Sequence, residues 1–320
     1  MFETEPILWL QAAGSPALTC LLSVVSLLGY NPVYAVLLLT VGFAVRLRPS
    51  LAVLVAALLA ALLATGLKTR VALPRPNEVD ARVWSGLPGS GTAFVERGGA
   101  PDFWSRPSPE AIAAARARPR HNYGFPSGHV AGATAFLLAA AVFFRSRAAL
   151  AFAGAWVPTM ALSRMYLGRH FLADVLGGLT VGVVAAALAV PLVRALERAA
   201  FASRGRRGLV LCCLGAALLL GAAPFVPLLS SLYVGSLAGV FASYAFLSLT
   251  GAPPEGGTKR QRLARAALSL GLFALGMGAF ARQIVDFPGF RPGPLAAGLV
   301  LTMVPLVGTI ALARRLRLHG

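Results

Sequence analysis

Residues 163 to 193 read Ser163-Arg-Met-Tyr-Leu-Gly-Arg-His170-Phe-Leu-Ala-Asp174, then Val-Leu-Gly-Gly-Leu-Thr-Val-Gly-Val-Val-Ala-Ala-Ala-Leu-Ala-Val-Pro-Leu-Val193. The second part is 19 consecutive uncharged residues. Taken from position 171, the run is long enough as a helix, at ~1.5 Å per residue, to cross a hydrocarbon core about 30 Å thick. The first part places arginine, histidine and aspartate where that helix begins. Ionisable groups in or beside a span are costly, so they mark function by default. The stretch therefore predicts a membrane helix with chemistry at one end.

The rest of the chain agrees. Of 320 residues 57% are hydrophobic and 12% charged, and the mean hydropathy is +0.74. A soluble domain carries about a quarter of its residues as charges, so a cytosolic globular enzyme is excluded. Lys and Arg number 29 against 11 acids, a net +18. The charges stand in short islands between apolar runs instead of along one wettable face with aromatics between them, which argues against nucleic acid as a partner. The bilayer is the expected partner.

Nine spans are predicted, at about 30–45, 51–67, 127–144, 148–163, 171–193, 208–228, 232–250, 263–281 and 294–313. Every second connection is basic: Arg46 and Arg48; Arg145 and Arg147; Arg194, Arg198, Arg204, Arg206 and Arg207; Lys259, Arg260, Arg262 and Arg265; Arg314, Arg315 and Arg317. These hold 16 of the 29 positive charges and are expected on the cytoplasmic side. The connections 68–126, 164–170, 229–231 and 282–293 then face outward, although 68–126 itself carries Arg116, Arg118 and Arg120. Residues 6–29 are long enough to span but are broken by Gly14-Ser15-Pro16, which favours an interfacial segment over a tenth span. The acidic start, Met1-Phe-Glu-Thr-Glu-Pro6, lacks the basic region of a cleaved signal peptide. Cys20, Cys212 and Cys213 form no disulfide framework and read as small hydrophobes.

The longest polar segment, Asn77 to Tyr123, holds five of the eleven acids: Glu78, Asp80, Glu96, Asp102 and Glu110. Its length suggests a functional cap. Within it, Ser108-Pro-Glu-Ala-Ile-Ala predicts a short surface helix capped by Ser108 with Pro109 in its first turn.

Three clusters fall on the predicted outer face at helix ends: Lys68 with Arg75-Pro76; Pro126-Ser127-Gly128-His129; and Ser163-Arg164 with His170 and Asp174. Lys68, Arg75 and Arg164 exceed the acid nearby, so they call for an anion, and the planar arginine fork suits phosphate oxygens. Ser127 and Gly128 offer backbone N–H groups at a helix start, where the dipole is positive. His170 and Asp174, four apart, share a helix face, so the carboxylate holds one ring nitrogen and leaves the other as a nucleophile. His129, on a different helix, is placed to protonate a leaving oxygen.

Together these residues resemble the type 2 phosphatidic acid phosphatase family, whose motifs Lys-x6-Arg-Pro, Pro-Ser-Gly-His and Ser-Arg-x5-His-x3-Asp match here at all eleven fixed positions, in order. The resemblance covers about residues 30 to 195. It implies an all-α polytopic bundle with a six-helix lipid-phosphatase core at 30–206, the segment 1–29 interfacial or a first span, and four further spans at 207–320. It implies that Lys68, Arg75, Ser127, Gly128 and Arg164 bind phosphate, that His170 forms a phosphohistidine, that Asp174 orients it, and that His129 protonates the departing lipid oxygen. No metal or cofactor is implied. The expected substrate is a membrane lipid phosphate, taken on the periplasmic or extracellular face of a bacterial cytoplasmic membrane; the family shares its anion pocket with vanadium haloperoxidases. A lipid-diphosphate phosphotransferase, or a lipid carrier using the core for binding, are the other readings.

The bland readings are these. Arg70 and Arg169 are expected to anchor the interface, with a headgroup contact as the other reading; His121 and Tyr123 are expected either to serve the loop or to touch a headgroup, and His319 to be solvated. Arg282, Asp286 and Arg291 are expected to form a local ion pair. Gly178-x3-Gly182 and Gly235-x3-Gly239 allow close helix contacts.

Overall fold

A computed structural model describes residues 1–85, 93–117, 123–202, 206–226, 228–284 and 289–318. Arg118, Arg120, His121, Arg204, Asp286 and His319 lie outside the described residues, and with them the expected ion pair at Asp286. Every regular element among the described residues is a helix. In chain order these are α1 (Glu5–Ala12), α2 (Pro16–Leu28), α3 (Asn31–Ala44), α4 (Leu47–Val71), α5 (Pro76–Val79), α6 (Pro109–Ala117), α7 (Gly128–Phe143), α8 (Arg147–Tyr166), α9 (Leu172–Ala202), α10 (Arg206–Ala222), α11 (Ser231–Thr250), α12 (Lys259–Ala279), α13 (Pro292–Met303) and α14 (Thr309–Arg315). A single π-helical stretch, Val304–Gly308, joins the last two. The fold is the expected all-α polytopic bundle.

All nine predicted spans are helical, but the count of membrane-length spans needs correcting. Six segments are long and apolar enough to cross by themselves: Leu47–Val79, Leu172–Arg198, Arg207–Phe225, Ser231–Thr250, Lys259–Ala279 and Pro292–Arg315. Helix α3 has 14 residues and α7 has 16, or ~21 and ~24 Å, short of a ~30 Å core. Helix α7 is sheathed by α4, α8 and α9, so protein instead of lipid surrounds it. Helix α8 is 20 residues long but holds Pro158 in its interior and Arg164 in its last turn. Residues 6–29 are two helices, as the Gly-Ser-Pro break suggests. Ser15 Oγ accepts from Leu18 N at 3.2 Å, Pro16 opens α2, and α2 then meets α3 at a 63° bend.

The outside of the bundle is apolar. Leu150 and Phe152 on α8, Leu176 and Leu188 on α9, and Leu211 and Leu218 on α10 are all exposed, a surface that only lipid satisfies over such a breadth. Contacts between ends of helices confirm that the basic islands share one end. Arg48 Nε meets Glu197 Oε1 at 3.1 Å, joining the start of α4 to the far end of α9. Arg265, 2% exposed, donates to the carbonyls of Phe43, Gly256 and Leu318. Arg314 donates to Thr250 O and Gly251 O.

At the opposite end the N-terminal segment and the described parts of the polar loop form a cap. Thr4 Oγ1 donates to Asp80 Oδ2 at 2.7 Å, and Arg82 bridges Asp80 and Glu5 at 2.7 and 3.0 Å. Beneath lies a small separate core of Ile7, Val79, Val83, Ala111 and Phe171. Helix α6 begins as expected, with Ala111 N donating to Ser108 Oγ at 3.2 Å.

Helices α7 and α9 cross where α9 offers glycine. A Cβ on Gly178 would lie 2.5 Å from Ser127 O and 3.1 Å from Val130 Cβ. Gly178→Val should therefore force the two helices apart, lowering stability by about 1–3 kcal/mol. Thermal unfolding in detergent checks this; an unchanged melting temperature would show that the seam yields freely.

Candidate active site

Four helix ends converge under the cap. Helix α4 stops where Ala72 takes a left-handed backbone (φ 51°), which turns the chain back after Lys68. Lys68 Nζ donates to Tyr123 O at 2.6 Å and Gly124 O at 3.3 Å, tying the end of α4 to the strap that leads into α7. Arg75, 4% exposed, is held through its backbone N–H, which donates to Glu78 Oε2 at 2.9 Å.

Ser127 precedes α7, and its N–H donates to Asp174 O at 2.8 Å, pinning the start of α7 to the start of α9. At Gly128 a Cβ would meet nothing within 4 Å, so the backbone there borders open space in which a ligand oxygen has room. His129 lies one residue on, its ring edge-on to Tyr30 with centroids 4.8 Å apart.

Helix α8 is anchored by Ser163 Oγ donating to Leu22 O at 2.6 Å and by Arg164 Nη1 donating to Ser26 Oγ. The N–H groups of Arg169 and His170 both donate to Arg164 O, at 3.0 and 3.2 Å. That fold-back delivers His170 to the mouth of α9. His170 is 2% exposed and Asp174 fully buried. Asp174 Oδ2 accepts from Phe171 N at 2.9 Å and faces His170 Nδ1 at 3.3 Å, as the i,i+4 spacing predicts.

Lys68, Arg75, Gly128, His129, Arg164 and His170 all line one cavity of about 550 Å³, within the range of ligand-sized pockets. Ser127 and Asp174 are buried behind this wall. Arg169 lines the cavity as well, which corrects its expected role as an interface anchor; Arg70 is exposed as expected. Among the described residues four cations and no carboxylate line the cavity. Among the described residues Arg164 Nε, His129 Nε2 and Ser127 Oγ are buried without a hydrogen-bond partner. Buried polar atoms are normally satisfied, and of these three residues Arg164 and His129 line the cavity. No three His, Cys, Asp or Glu side chains among the described residues gather in a group suited to a metal ion.

Burial, reinforced by the charges of Lys68, Arg164 and Arg75, holds His170 well below the usual imidazole range. Below about 6.5 the unfolded imidazole takes up a proton and the folded one does not. Since stability rises with pH wherever the unfolded state binds more protons, acid should destabilise the protein by at most about 1.4 kcal/mol per pH unit from this group. Melting temperatures of wild type and His170→Gln across that range check the expectation. Equal slopes would place the titration elsewhere.

Sequence reading missed Tyr30 and the strap carbonyls that hold Lys68, and put interface anchoring ahead of a headgroup contact for Arg169. Arg169 lies in the connection between Arg164 and His170, and only the fold-back onto Arg164 O turns it inward.

Fold and site together define a helical membrane protein with a cation-lined cavity at one end of the bundle. Residues 49–198, which contain all eight predicted site residues, match the family model described as the PAP2 superfamily. No curated protein and no solved structure matches the chain.

Proposed function

We propose that the protein is a metal-independent lipid phosphatase acting through a phosphohistidine at the outer interface of the membrane. The observation that carries this is His170, backed by Asp174, on the wall of a cavity with four cations at one end and mainly apolar side chains over the rest. The cations and the backbone at Ser127 and Gly128 hold the phosphoryl oxygens. His170 Nε2 forms a bond to phosphorus as the phosphorus–oxygen bond to the lipid breaks, and His129 gives its proton to the departing oxygen. Water then attacks phosphorus with His129 taking its proton, the nitrogen–phosphorus bond breaks, and inorganic phosphate and free His170 result. Asp174 fixes the tautomer and supports the charge on the imidazole in between.

The basic islands gathered at the other end support placing the site on the outer face. We read residues 30–206 as the catalytic core and 207–320 as an addition to it. Phosphatidic acid, phosphatidylglycerophosphate and polyprenyl diphosphate all present the required group. Phosphate release from each by the purified protein, with and without chelator, is the test. Release that persists in chelator is expected; no release from any, or release abolished by chelator, would refute the assignment.

A further inference from the structure

We infer that the cavity is a tail channel crossing the bilayer, walled on one side by helices outside the PAP2 stretch, and that it selects lipid phosphates whose tail extends past the bilayer midplane. This rests on the lipid-phosphatase reading above and adds a specificity element to it.

On α4 the lining positions include Leu47, Leu51, Leu54, Leu58, Thr65 and Lys68. They recur at helical spacing, so they form one continuous stripe. From Leu47 to Lys68 the stripe runs 21 residues, ~31 Å, the thickness of a whole hydrocarbon core rather than one leaflet. Its only charged groups lie at the Lys68 end. The facing wall is shared by α3, through Leu38 and Phe43, and by the C-terminal helices, through Tyr233 on α11, Phe273 on α12, Thr302 on α13 and Leu306 in the π-helical stretch. At the mouth, Asn31 Nδ2 donates to Tyr233 Oη at 2.6 Å and fastens α11 to α3 beside the residues around His129. A ligand that satisfies both ends has an anionic head and one long apolar chain.

Bulk lipid is as apolar as the channel, so the tail gains nothing from leaving water; the gain is packing against walls that otherwise lack partner atoms. A tail confined to the outer half forgoes those contacts at the far end. Discrimination by tail length is therefore graded, on the order of tenfold, the size expected when an apolar pocket distinguishes a few methylene groups.

The test compares undecaprenyl diphosphate with geranylgeranyl diphosphate, which share a headgroup, at equal mole fraction in detergent micelles with the full chain. Wild type should favour the long tail in kcat/KM by about tenfold. Leu54→Trp and Thr302→Trp, made on opposite walls, should each reduce that ratio; Leu54 lies 14 residues from Lys68, ~21 Å deep. Equal kcat/KM for the two tails in wild type, or a ratio untouched by both substitutions, overturns the channel while leaving the phosphatase reading intact. If neither lipid releases phosphate, the prenyl diphosphates are not substrates, and the phosphatase reading rests on the other lipid phosphates tested. Saturable binding of radiolabelled undecaprenyl phosphate in nanodiscs then decides the channel: weaker binding in Leu54→Trp supports it, and absent or unaltered binding overturns it.

Discussion

His170→Ala should lower phosphate release from a lipid phosphate by on the order of 10⁴-fold or more, the scale seen when a covalent nucleophile is deleted from an intact site. The loss should fall on kcat, because Lys68, Arg75 and Arg164 remain to bind the headgroup. A second readout separates chemistry from folding. Wild type quenched in alkali during turnover of radiolabelled substrate should carry labelled phosphate that is released by acid, and the variant should carry none. Retention of release within tenfold of wild type, with a normal melting profile, would remove His170 from the nucleophile's role.

His129→Ala should cost about 10²- to 10⁴-fold with a lipid alcohol as leaving group, the usual worth of a positioned general acid. A nitrophenyl phosphate departs as a stable anion that needs no proton, so with that substrate the loss should shrink by at least tenfold. This difference is specific to proton donation. If His129 served only to pack against Tyr30, both substrates would suffer alike, and an equal loss would reject the assignment.

Much of this site was legible because its parts are local. The spacing of His170 and Asp174 is one helical turn, and the carboxylate does hold the ring at Nδ1. Ser108 and Pro109 announced α6, and Gly14-Ser15-Pro16 announced the break between α1 and α2. Convergence of Lys68, Arg75, His129, Arg164 and His170 on one cavity followed from placing every motif at an outward helix end. What was hidden depends on contacts between distant parts of the chain. Whether an apolar run of 16 residues such as α7 must span alone is decided by its neighbours, since a helix wrapped by protein need not match the bilayer. Arg169 looked like any flanking cation until the turn onto Arg164 O directed it inward. Tyr233 and Thr302 are ordinary residues of apolar helices, and no periodicity tells which of them faces α4.

The order of the helices along the chain also sets an order in time. Synthesis proceeds from the N-terminus, and segments generally fold as they emerge. Lys68, His129, Arg164, His170 and Asp174 are all made before the first residue of α11, so the cationic end of the cavity precedes its C-terminal wall. Until α11 to α13 arrive, the stripe on α4 is covered only in part, by α3. The last residues to be translated complete the cavity.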